Sequence, residues 1–328
     1  MPRLGICFSM PYLTERFLKI NPREVEFARR GFICSDPQIQ ARLENIGRCF
    51  LHGYHAALKD HKDQDVLSNL LDQVALEQRG FAYEGAAMAL ALLDGLVPRK
   101  QRFQRFLNGA GKRHIYMLHV GAGWACARLP WLRRRLEISI RKFDPVLRWL
   151  IIDGFGFHQG YFHWPTAVHS PGTHLSEQAQ HVYYQGLGRS LWFVHGANAL
   201  EISRTIQSFD SRYHADAWSG VGIACAYAGG LSASEIEELR NVAGKFETAL
   251  AQGAAFAAKA RLLAGNPAAH AEAACAVLCG MRAESAAALC DETLARVDKL
   301  QPCPYQQWRE LLQKTLLFNQ KTEPAFHC

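Results

Sequence analysis

Most of the patterns that announce a function are missing from this chain. No HExxH, EExxH, GxSxG or cysteine-protease signature occurs, so neither a nucleophile nor a preassembled metal motif is readable. The densest glycine cluster, Gly154, Gly156 and Gly160, has the spacing GxGxxxG with no strand before it, which is not a dinucleotide fingerprint. Long apolar runs are absent too. The best, residues 81–97, contains Glu84 and Asp94 and falls short of the ~20 residues a spanning helix needs. The N-terminus passes from Met1-Pro2-Arg3-Leu4 to Glu15 and Arg16 without an apolar core and cleavage site. No secretory leader is read, and a cytoplasmic location is expected.

Cysteine is plentiful but unpatterned. The ten cysteines include no CxxC pair, and the closest two, Cys275 and Cys279, are four apart in an alanine-rich stretch. That spacing puts both on one helix face, where free thiols pack as small apolar groups. A disulfide framework and a cysteine-based structural zinc site are therefore not expected, and a reducing compartment is. The net charge of +7 comes partly from a cluster of Arg128, Arg133, Arg134, Arg135, Arg141 and Lys142. The glycine-aromatic core of RNA-binding sheets, zinc-finger spacing and a basic zipper are all missing, so nucleic acid is not an expected partner. The cluster reads first as a solvated helix face. Attraction to phosphate, or at most peripheral contact with an anionic membrane, is the alternative.

What the chain does have is 328 residues, 49% of them apolar, enough to bury a sizeable core, and an internal repeat. A glycine followed by small, alanine-rich or aromatic residues recurs with lead positions Gly85, Gly121, Gly154, Gly186, Gly220 and Gly253, and a weaker copy at Gly53. The period stays close to 33 residues, which accommodates two helices and their turns. We therefore expect an all-α fold of tandem helical pairs, forming an α-solenoid of the tetratricopeptide kind or a closed α/α ring. Each lead glycine should sit inside one helix of a pair, where a missing side chain lets another helix approach closely. Stretches such as residues 66–72 and 234–240 read as the second, more polar helices. Residues 1–45 are expected as a segment packing on the array, 46–265 as the repeat core and 266–328 as a C-terminal helical cap. Lanthionine-cyclase and terpene-cyclase rings also stack glycine-bearing helices, but their Cys…Cys-His and DDxxD or DxDD signatures do not occur.

Polar and aromatic residues recur around the lead glycines: Tyr83 and Glu84, His119, Asp153, Tyr184 and Gln185, and Trp218, with His158 and Arg189 a turn further on and His214 and Asp216 a turn before Gly220. In a stacked array equivalent positions face the same way. Glu84, His119, Asp153, His158 and Arg189 are thus candidate catalytic residues, and Tyr83, Trp124, Phe155, Tyr184 and Trp218 candidate substrate-binding residues. Buried carboxylates need partners, and Arg189 suits one of them. The same residues fit a divalent metal, iron or zinc, held by Glu84, His119, Asp153 and His158, or a metal-free acid/base site. Structural hydrogen bonds and caps are the competing explanation.

Several of these phrases together carry a family resemblance. Residues 80–88 (GFAYEGAAM), 119–125 (HVGAGWA), 153–158 (DGFGFH), 186–193 (GLGRSLWF) and 218–222 (WSGVG) resemble the UnbL-like family, a domain found beside enediyne polyketide synthases. The resemblance spans about residues 1–265. It implies a part in building an enediyne or related polyene-derived natural product from a long conjugated chain, which later enzymes oxidise, desaturate and cyclise. An apolar, aromatic-lined cavity with a few polar groups suits such a substrate. The family supplies no catalytic residues to carry over. Two classes of function follow: an enzyme acting on a polyene, or on an isoprenoid, and a non-catalytic repeat scaffold for the synthase or its tailoring enzymes.

Overall fold

A computed structural model describes residues 18–166 and 175–322 of the chain. Every regular element among them is helical. Seven long helices carry the glycine phrases and are numbered here in order: α1 (Pro37–Asp60), α2 (Arg79–Leu96), α3 (Ile115–Arg128), α4 (Leu150–Phe162), α5 (Glu177–Val194), α6 (His214–Ala228) and α7 (Glu247–Ala264). Local signals set several of their ends. Asp36 caps α1, accepting from the Gln38 and Ile39 amides ahead of Pro37 in the first turn, and the Ser176 hydroxyl caps α5. Gly265, at φ +66°, ends α7 in the left-handed conformation that glycine adopts most freely. A 3₁₀ turn leads into each of α2, α3, α4, α6 and α7.

The glycines explain how the seven helices pack. A Cβ built at Gly154 would lie 2.0 Å from the Val120 carbonyl oxygen on α3, and one at Gly156 would lie 2.1 Å from the Tyr183 oxygen on α5. The same reciprocity holds along the row. Gly186 meets Asp153 and Gly188 meets Ala217; Gly220 meets Gln185 and Gly222 meets Leu250. Residues two apart on a helix are about 200° apart around its axis. In each GxG the first glycine therefore faces the preceding helix and the second the following one. Gly121 and Gly123 on α3 obey the rule, and on α2 the second position is Ala87. The lead glycines are equivalent positions, as the period required.

Outside this row lie shorter helices, including Gln64–Asp72, Arg102–Asn108, Ala199–Gln207, Ala233–Ala243 and Ala269–Cys279. The expected polar second helices at 66–72 and 234–240 are among them. The outer layer is less regular than a tetratricopeptide array. After α3 it consists of two short helices, Pro130–Arg134 and Leu136–Ser139, and residues 167–174 lie outside the described part of the chain. The row also curls until its ends meet. Arg42 on α1 donates to the Ala228 carbonyl at the end of α6 at 2.6 Å and pairs with Glu77, while Arg261 on α7 donates to the Tyr227 and Glu77 carbonyls. Phe81 on α2 meets Tyr227 edge-on, ring centroids 5.2 Å apart.

Of the expected segment boundaries, the one at 265 falls at the end of α7 and the one at 45 does not fall between helices. Residue 45 falls inside α1, and the C-terminal helix Pro304–Thr322 does more than cap the array. Its Tyr305, Trp308, Arg309, Leu312 and Leu316 are all buried. All cysteines among the described residues are free thiols, and Cys275 and Cys279 are buried on one face of Ala269–Cys279. Among the described residues no single helix is long and apolar enough to cross a membrane.

Candidate functional site

The position just before each lead glycine turns toward the inside of the curl. Glu84, Val120, Asp153, Gln185, Ser219 and Gln252 occupy it in successive helices, and the five polar ones are buried. They form a connected row. Asp153 pairs with Arg189, four residues beyond Gln185 on α5 and likewise buried. The Gln185 amide donates to Asp153 Oδ2 and to Tyr305 Oη, each at 2.8 Å. Ser219 Oγ donates to Gln252 Oε1 at 2.8 Å. Beyond it Arg309 meets Asp216 at 2.7 Å, and His181 Nδ1 reaches the other oxygen of Asp216 at 2.6 Å. That hydrogen bond raises the His181 pKa against the opposing effect of partial burial.

Glu84 breaks the pattern of satisfied groups. Its carboxyl is wholly buried, and burial pushes its pKa up to about 8; Arg189 opposes the shift and Asp153 reinforces it. The group is therefore mainly protonated at neutral pH. Neither Glu84 Oε1 nor Trp124 Nε1 completes a hydrogen bond, although the nearby indole N–H slightly favours the charged carboxylate. Arg189 carries opposing influences: burial pulls its pKa down, and the Asp153 and Glu84 carboxyls outweigh it and hold it above its ordinary value.

Glu84 and Trp124 border an apolar cavity of about 40 Å³, walled by Phe50, Phe81, Phe157, Tyr161 and Phe193. Phe50 and Trp124 are tilted with centroids 4.7 Å apart, and Phe157 meets Trp124 edge-on at 5.0 Å. The Arg189 guanidinium lies 4.8 Å from the Phe157 ring centre. Ile20, Glu24 and Val25, in and before the 3₁₀ turn Pro22–Val25, form the roof. A second small cavity lies across the ion pair, bordered by Asp153, Arg189, Tyr227 and Tyr305.

The structure gathers Glu84, Asp153, Arg189 and Trp124, and it separates several other candidates from them. His158 is close, its ring 5.6 Å from Trp124, with a pKa lowered to about 3 by burial and by His163 and Arg128. Tyr83, His119 and Tyr184 face the outer layer. Tyr83 stacks on His114 and donates to Asp72, His119 donates from Nδ1 to the Ile115 carbonyl beside Phe143, and Tyr184 stacks on Tyr213. Trp218 holds the same helical position as these three and is buried. Phe155 packs against Tyr183, away from the cavity lining. The single wall expected from a common offset is thus corrected. Adjacent helix residues diverge by about 100°, so the position two before a lead glycine and the position one before it point to different layers. Glu84, His119, Asp153 and His158 do not converge as a ligand set, and no group of three metal-binding side chains is gathered among the described residues. Sequence reasoning missed Ser219, Gln252, Tyr305 and Arg309. The first two were legible as the polar residue preceding a lead glycine.

A family model for a protein of unknown function, DUF1702, matches residues 10–316. No curated protein and no solved structure matches the chain.

Proposed function

We propose a function for a chain that belongs to the DUF1702 family of proteins of unknown function: it is a biosynthetic enzyme that transfers a proton to a long, apolar conjugated chain. The observation that carries the reading is Glu84, a buried carboxyl with an unpartnered oxygen and a pKa pushed up to about 8 by burial, bordering a cavity walled by aromatic rings. The resemblance of its glycine phrases to a domain found beside enediyne polyketide synthases supplies the substrate class, a polyene made by such a synthase.

In this reading Glu84 gives its proton to one carbon of a double bond, forming a C–H bond and leaving a delocalised cation on the chain. The faces of Phe50, Trp124 and Phe157 attract that charge, and Arg189 favours the carboxylate left behind. Loss of a proton from another carbon to that carboxylate restores Glu84 and leaves an isomerised or cyclised product. The redox balance is unchanged. At about 40 Å³ the cavity is far smaller than a long conjugated chain, so the substrate enters by displacing the roof at Ile20, Glu24 and Val25.

The test is product formation when purified protein is added to a synthase reaction that supplies the conjugated chain. Glu84→Gln keeps the shape and removes the proton donor. It should lower turnover by about 100-fold or more while the far-ultraviolet helical signal is unchanged. Full turnover by that variant would overturn the reading and leave the scaffold function, which tolerates change at Glu84.

A further inference from the structure

We propose that the face formed by the turn after α2 and the short helices after α3 docks on an anionic lipid bilayer. Leu96, Val97, Trp131 and Ile138 are exposed there, to 43%, 46%, 49% and 65%. Aliphatic side chains beside a tryptophan, left in water on one face, match the composition that inserts into the headgroup region of a bilayer. The same segments carry Arg99, Lys100, Arg133, Arg134, Arg135, Arg141 and Lys142, all exposed. Pro98, Trp131 and Lys142 border one surface groove of about 330 Å³, so the two segments form a continuous face.

The local acids are fewer than these seven cations and offset their charge only in part. Asp94 pairs with Arg102 and accepts from the Phe103 amide, Glu137 accepts from Ser176, and Asp144 accepts from the Val146 and Leu147 amides. Among the described residues, none of Arg99, Lys100, Arg133, Arg134, Arg135 or Arg141 forms an ion pair. Free cations around exposed aliphatic groups complement a surface that is anionic outside and apolar beneath. A nucleic acid or an acidic peptide would satisfy the cations and leave Val97 and Ile138 without a partner. Helices of the glycine row line the floor of this groove through Ala91, Ala122 and Ile151, but Glu84, Asp153 and Arg189 do not border it, so the inference stands apart from the catalytic reading.

The experiment is sedimentation of the purified protein with vesicles. Phosphatidylcholine containing about 30% phosphatidylserine should bind the protein, and phosphatidylcholine alone should bind it at least about 10-fold more weakly. Raising the salt to about 0.5 M should weaken the anionic-vesicle binding about 10-fold or more. Arg133→Glu, Arg134→Glu and Arg135→Glu combined should reduce it by about 100-fold or more. Trp131→Ala should weaken binding several-fold while the salt dependence persists. The substituted side chains are exposed, so thermal melting should be unchanged in both variants. Equal binding to the two vesicle types, no binding to either, or wild-type binding by the triple variant would overturn the proposal. Tight binding to RNA or an acidic peptide without vesicle binding would also overturn it.

Discussion

Glu84 and Asp153 stand at the same position in their helices and meet different neighbours. Asp153 has Arg189 and Gln185 as direct partners, whereas one oxygen of Glu84 has none and its pKa rises to about 8, chiefly through burial. The sign of the stability effect follows. Between about pH 4.5 and 8 the folded chain keeps a proton on Glu84 that the unfolded chain has released, so stability falls as pH rises through that window. The slope from this group is at most about 1.4 kcal/mol per pH unit. Urea denaturation at several pH values should show Glu84→Gln gaining on the wild type from pH 5 to pH 8; parallel curves would contradict the burial argument. At Asp153 the concern is the partner. Arg189→Met leaves a carboxylate buried without its cation and should cost about 3–5 kcal/mol in the same assay. Adding Asp153→Asn should recover part of that loss.

At the scale of the element, the helix crossings reverse an ordinary preference. Alanine in place of glycine normally stabilises a helix interior by about 1 kcal/mol. At Gly154 or Gly186, however, the added carbon would lie 2.0 or 1.9 Å from a backbone oxygen of the next helix, and backbone cannot swing aside as a side chain can. We expect Gly154→Ala and Gly186→Ala each to destabilise by about 1–3 kcal/mol or more, read as a fall in the urea midpoint. A stabilised variant would mean that the helices are not held by these crossings. The same geometry accounts for the repeat being legible. A glycine repeated every 33 residues or so, doubled to GxG in α3 to α6, is written in the local sequence because those helices must be bare on two opposite sides.

At the scale of the whole molecule, closure of the row distinguishes this chain from an open array. Arg42 and Arg261 join α1 and α7 to the end of α6, and Tyr305 and Arg309 of the C-terminal helix reach the buried polar row. Open arrays can unfold repeat by repeat. Contacts that tie distant repeats together should instead give one transition. Urea unfolding followed by circular dichroism and by tryptophan fluorescence is expected to coincide; two separated transitions would show that the ends of the row fold independently.

Helicity, the period and the close-packed glycines were determined by the sequence itself, because glycine spacing and apolar patterning act within one or two helical turns. Glu84, Asp153 and Arg189 were legible as polar residues in apolar helices. Which polar groups meet was decided only by the tertiary structure. A shift of one residue around a helix sent His119 to Phe143 and the outer layer while its neighbours faced inward. Gln185 finds Tyr305 across 120 residues of chain, a separation over which no local pattern operates. The cavity beside Glu84 likewise depends on α1, α3, α4, α5 and an N-terminal roof arriving together, and it is the curl of the row that brings them there.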